Sequence, residues 1–173
     1  MAAETAYRQP VEFIQMAFLG SNPRNTLVRI ALLVFSAFVV FGLILQPVRL
    51  QGISMLPTYS DGGINFANRF AYMFHPPRRF DIVAIRMAGP SVLYVKRVIG
   101  LPGERVAIVD GTVTINDTPL DEPTVLYRIP WNMEPMTLEA DEYFVVGDNR
   151  SMRMDEHDFG RATRNRILGK LLY

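Results

Sequence analysis

The stretch Leu93-Tyr94-Val95-Lys96-Arg97-Val98-Ile99-Gly100-Leu101-Pro102-Gly103-Glu104-Arg105-Val106-Ala107-Ile108-Val109-Asp110-Gly111-Thr112-Val113-Thr114-Ile115-Asn116 decides the fold. Short runs rich in β-branched and aromatic residues are separated by turn residues, which is the pattern of antiparallel strands. Asp110-Gly111 reads as a hairpin turn, because glycine accepts the positive φ such turns demand. Leu101-Pro102-Gly103 and Asn116-Asp117 read as further turns. The strands expected here are 93–99, 105–109 and 112–116, and the same pattern recurs at 64–68, 81–87, 142–146 and 167–172. Residues 49–173 are therefore expected to form one mainly β domain, an antiparallel sheet or barrel. Residues 121–140, with Pro123, Pro130 and Pro135, show no clear period and are expected to form a long surface excursion.

Upstream the chain changes character. From Ile30 to Leu45 no residue is charged, and Gln46-Pro47-Val48 extends that segment. At 1.5 Å per residue, 30–48 is roughly 28 Å of helix, close to the hydrocarbon thickness of a bilayer. The run is dominated by Ile, Leu, Val and Phe, whose insertion gains roughly 4 to 7 kcal/mol before Ser36 and Gly42 subtract. A buried core helix is the alternative, opposed by the absence of a charged residue on any face of this segment. A cleaved leader would need a small-x-small site, and Gln46-Pro47-Val48-Arg49 offers none. The span is thus expected to be a retained transmembrane helix. Arg24 and Arg29 precede it while only Arg49 follows closely, so residues 1–29 are expected in the cytoplasm and 49–173 outside. The apolar patch from Val11 to Leu19 is too short to span, and reads as an interfacial or a surface helix.

A net charge of +1 gives no case for nucleic acid. With no cysteine there are no disulfides and no thiolate metal sites. The histidines are two, His75 and His157. A metal at Asp155-Glu156-His157-Asp158 would need a second contributing segment, since adjacent residues seldom converge on one ion. No cofactor and no metal are expected.

The chemistry centres on Gly52-Ile53-Ser54-Met55-Leu56-Pro57-Thr58, just after the apolar run. A serine hydroxyl attacks only when a base takes its proton. Lys96, interrupting an apolar strand, is a candidate base if burial removes its charge, since a free lysine is protonated at neutral pH. Strand alternation puts Tyr94, Lys96 and Val98 on one face and Arg97 on the other. Ile53, Met55 and Val95 are candidates to line a substrate pocket, with ordinary core packing as the alternative. The Ser54 main-chain N–H is the natural oxyanion donor.

Four ordered blocks carry a resemblance. Ser54-Met55-x-Pro57-Thr58, Arg79-Phe80-Asp81-Ile82-Val83, Tyr94-Val95-Lys96-Arg97-Val98-Ile99-Gly100-Leu101-Pro102-Gly103-Glu104 and Gly147-Asp148-Asn149-Arg150 resemble those of type I signal peptidases. The resemblance implies a catalytic domain of signal-peptidase type, with Ser54 as nucleophile and Lys96 as general base. It also implies removal of signal peptides from exported preproteins, with small side chains at the first and third positions before the cleaved bond. The setting it implies is the plasma membrane, or alternatively an organellar inner membrane, with membrane lipid as a second partner. Some members carry a hydroxyl two residues before the nucleophile, where this chain has Gly52. The family's last block continues Ser-x-Asp-Ser-Arg, its serine orienting the lysine and its aspartate pairing with the arginine; here Arg153 replaces the serine and Asp155 matches the aspartate. Ser151 is the expected substitute in the orienting role, and His157 an expected partner for Asp155. Asp148 is expected to be a turn residue whose carboxylate caps nearby main-chain N–H groups. A specialised maturation peptidase, a catalytically silent peptide-binding β domain and a self-cleaving serine–lysine repressor are the competing readings, the last opposed by the spanning segment.

Overall fold

The computed structural model describes residues 23–88 and 92–172; the patch from Val11 to Leu19 lies outside them. Two compact units meet between Leu43 and Ile44. The first contains helix α1 (Pro23–Phe38) and all but the last residue of the π-helical turn that continues it, Val39–Ile44. Arg24–Ile44 is a helix of 21 residues, long and apolar enough to cross a membrane, with none of its most apolar window buried in the protein. The expected boundaries of 30–48 need correction at both ends. Gln46-Pro47-Val48 belongs to a strand, because the residue before a proline is pushed out of helical φ/ψ and the proline lacks the N–H a helix would use.

The second unit is two antiparallel sheets. Its strands are β1 (Leu45–Arg49), β2 (Ile64–Asn68), β3 (Ile82–Ala88), β4 (Val92–Gly100), β5 (Arg105–Val109), β6 (Thr112–Ile115), β7 (Thr118–Pro119), β8 (Met133–Thr137), β9 (Glu142–Val146), β10 (Gly160–Thr163) and β11 (Ile167–Leu171). The larger sheet runs β1-β2-β11-β3-β4-β9-β10, and the smaller β7-β6-β5-β8. The hairpin between β5 and β6 turns at Asp110 and Gly111, with φ of 47° and 75°, as the Asp-Gly pair requires. The turn after β4 is closed by Glu104, which accepts the Leu101 N–H at 2.7 Å and pairs with Arg79 at 2.5 Å.

Burial follows the alternation of the strands. Val48, Met55, Ala67, Ile82, Ala84 and Val95 form one cluster, which joins β1 and β2 to β3 and β4. A second gathers Val83, Ile85, Val98, Tyr143 and Val145, and a third packs Ile99, Val106, Ile108, Trp131, Phe144 and Val146 between the two sheets. Residues 121–140 do run largely over the surface, as expected, but they also supply β8 and bury Glu122, Trp131 and Leu138.

Candidate active site

Ser54 lies in the turn between β1 and β2, and its position is fixed from both sides. Below it, Met55 is buried in the first core cluster, and the Leu56 N–H reaches the Ile53 carbonyl at 3.1 Å to close the turn. Across from it, the loop after β9 clamps the main chain: the Asn149 N–H donates to the Ser54 carbonyl at 3.0 Å, and Asn149 Nδ2 donates to the Ile53 carbonyl at 3.0 Å. That approach requires Gly147, because a Cβ there would stand 2.2 Å from the Ser54 carbonyl oxygen. Neither clamp was legible in the sequence, since the main-chain carbonyls they reach carry no residue signature.

Lys96 comes from the middle of β4, where it pairs in register with Val83. Its side chain crosses to Ser54, with Nζ 3.1 Å from Ser54 Oγ. The residue is 4% exposed. Burial lowers the lysine pKa to about 8 against the opposing pull of Asp158, because the ammonium form loses its hydration. The structure thus brings together the two residues expected to react, and gives the amine an environment in which the neutral form is accessible.

The neighbouring side chain in the strand points elsewhere. Arg97 holds Asp148 through two bonds of 2.7 and 2.6 Å, with both side chains almost fully buried. The Thr58 hydroxyl donates to the same carboxylate. Asp148 is therefore the hub that ties β4 to the Ser54 turn; the expectation that its carboxylate caps main-chain N–H groups is corrected, because a buried guanidinium demands a buried counter-charge.

The supporting residues expected beyond Arg150 are not where the resemblance would put them. The Ser151 hydroxyl donates to Asn149 Oδ1 at 2.6 Å at an exposed position, not to the Lys96 amine. Asp155 pairs with Arg153 at 2.7 Å on the surface, rather than with Arg150 or His157. Arg150 instead turns inward to the buried Glu122 and donates to the Gly147 carbonyl at 2.9 Å. His157 is buried edge-on against Trp131, with ring centroids 5.0 Å apart. Among the described residues no group of three or more acidic or histidine side chains is placed to hold a metal.

A cleft of about 540 Å³ opens beside Ser54, lined by Gly52, Ser54, Met55, Leu93 and Val95 among others. Ile53, beside it in the chain, is 47% exposed and is not among the residues lining this cleft. Gly52 does line it, at a φ of 91°, but its N–H is bound to Asp61 at 2.8 Å and so does not serve as a free oxyanion donor.

Residues 24–173 match the profile of a family described as signal peptidase, peptidase S26. Signal peptidase I of Leptolyngbya laminosa is 38% identical over 125 residues, covering 68% of this chain and 62% of that protein. Signal peptidase I of Bacillus caldolyticus is 35% identical over 157 residues, covering 81% and 79%. A probable chloroplastic thylakoidal processing peptidase 2 of Arabidopsis thaliana is 32% identical over 138 residues, covering 74% and 37%. The chain thus spans less than two thirds of the Leptolyngbya and Arabidopsis relatives.

Proposed function

From the premise that this chain belongs to the signal peptidase family, peptidase S26, we propose that it is a membrane-anchored serine endopeptidase that removes signal peptides from preproteins. The observation that carries the reading is the contact of 3.1 Å between Lys96 Nζ and Ser54 Oγ at a buried lysine.

In the proposed reaction the neutral Lys96 amine takes the hydroxyl proton as Ser54 Oγ bonds to the scissile carbonyl carbon. The tetrahedral oxyanion lies toward the Ser54 N–H. Its collapse breaks the C–N bond, and Lys96 returns the proton to the leaving amine, which is the new N-terminus of the mature protein. The signal peptide is then held as an ester on Ser54. Lys96 next takes a proton from water, whose oxygen attacks the ester; the signal peptide leaves with a carboxylate terminus and Ser54 Oγ regains its proton. The cleft walls of Met55, Leu93 and Val95 are apolar and favour small aliphatic side chains beside the reacting bond. Arg24 and Arg29 at the start of the spanning helix support a cytoplasmic N-terminus and an extracytoplasmic peptidase domain, so that substrate and site share one surface at raised effective concentration.

The test is incubation of the purified full chain in detergent with a model preprotein, followed by mapping of the new N-terminus. Cleavage after a small-x-small sequence by the wild type and none by Ser54→Ala is the expected result. A Ser54→Ala variant that cuts at the same bond overturns the reading. The pH dependence adds an independent check. Because the reactive form of Lys96 is the neutral one and its pKa is about 8, kcat/KM should rise about tenfold per pH unit below pH 8 and level off above it. A rate flat from pH 5 to 9 would exclude Lys96 as the base.

A further inference from the structure

His157 is a buried titratable side chain that the reaction above does not use. It follows the 3₁₀ turn Met154–Glu156, from which its N–H reaches back to the Met154 carbonyl at 3.3 Å. Its ring is wedged against Trp131 at 5.0 Å and Phe159 at 6.3 Å between centroids. On its other side lies Gly147. A Cβ at Gly147 would meet His157 Cε1 at 2.7 Å, His157 Nε2 at 2.8 Å and the Ser54 carbonyl oxygen at 2.2 Å, so the imidazole edge and the nucleophile's main chain converge on the one point that this glycine leaves open.

Both ring nitrogens are shut off from solvent, and neither completes a well-aligned hydrogen bond among the described residues. Buried imidazole nitrogens without partners are costly, and a core that wanted only bulk here would be served by phenylalanine or leucine. The Ser54 carbonyl has two lone pairs; the Asn149 N–H occupies one, which leaves the other for an imidazole N–H.

We propose that His157 is a positioning residue of the Ser54/Lys96 pair, its imidazole edge supporting the Ser54 main chain so that the hydroxyl stays within reach of the amine. The proposal rests on the serine–lysine reading and deepens it. The charged groups acting on the ring are Lys96 and Arg150, while the Asp158 carboxylate acts on Lys96. Burial first, then the Lys96 and Arg150 cations, lower the His157 pKa to about 4, while main-chain groups of Asp158 and Ser54 pull the other way. At neutral pH the ring is therefore uncharged: it has one N–H to give and adds no positive charge beside Lys96.

Two near-isosteric replacements in the full chain test this: His157→Gln, which keeps an amide N–H, and His157→Met, which keeps only the bulk. Preprotein cleavage, thermal melting and a parallel Ser54→Ala sample are measured together. The Gln variant is expected to hold kcat within about threefold of wild type, and the Met variant to lose about tenfold or more, with KM and melting temperature alike in the two. Equal kcat in both variants, whether retained or reduced, overturns the proposal, as does a loss that follows melting temperature rather than the amide. Should Ser54→Ala itself still cleave, it is the serine–lysine reading that fails; an inert Ser54→Ala with indistinguishable His157 variants sinks the histidine's role alone.

Discussion

Lys96→Met should lower kcat for preprotein cleavage by about 10⁴-fold or more, with KM little changed, because it removes the group proposed to accept the Ser54 proton while keeping an unbranched chain in the same channel. The same variant should be more stable than wild type at pH 7. The folded-state pKa of Lys96, about 8, lies below its ordinary 10.5, so below pH 8 the folded protein holds a protonated ammonium in a place that disfavours it. That difference is worth about 3 kcal/mol. Between pH 8 and 10.5 the unfolded chain binds more protons at this position than the folded one, so wild-type stability rises with pH through that window, and above it the contribution is constant. Denaturant unfolding of both proteins should show the Met variant ahead by up to about 3 kcal/mol at pH 7, with the gap closing toward pH 10.5. A Met variant that is less stable at neutral pH would mean the amine is not a source of strain.

Asp148→Ala should destabilise the peptidase domain by about 3 to 5 kcal/mol, since it leaves the buried Arg97 guanidinium with no counter-charge. Activity should fall with it, because Asp148 also receives the Thr58 hydroxyl and so fixes the far end of the turn that carries Ser54. Asp155→Ala makes the contrast. Its partner Arg153 is exposed and free to rehydrate, and neither melting nor cleavage should change measurably. Chemical denaturation of the two variants side by side decides the matter; equal melting would show that Asp148 is not a hub.

The strands that the sequence revealed and those it concealed differ in one physical respect. The central strands β2, β3, β4, β5, β6, β9 and β11 were legible, because each carries β-branched or aromatic residues into a core. The four that escaped, β1, β7, β8 and β10, are the four edge strands of the two sheets. Three of them contain a proline, Pro47, Pro119 and Pro135, which an edge tolerates because one row of N–H groups has no partner to lose. The same residue that marks an edge argues against a strand when read alone. In the site, Ser54 and Lys96 were legible through their blocks, and the structure places them in contact. What could not be read were pairings between distant segments: Arg150 with Glu122, Asn149 with the Ser54 main chain, and the His157 ring against Gly147. The surface pair of Arg153 and Asp155 explains why the matching aspartate misled: with arginine two residues before it, the carboxylate finds a local cation and needs no buried one.

Strand β11 sits between β2 and β3 in the larger sheet, although it follows every other described strand in chain order. The Ser54 turn hangs from the β1-β2 hairpin, Lys96 stands on β4, and β11 is the seam between those halves; its Lys170 holds Asp81 at 2.6 Å, and the carbonyl of Leu172 takes the Tyr59 hydroxyl at 3.0 Å. The spacing between Ser54 and Lys96 therefore depends on a strand that carries neither of them: loosening β11 would let the two halves drift apart while each kept its own ladder of main-chain bonds.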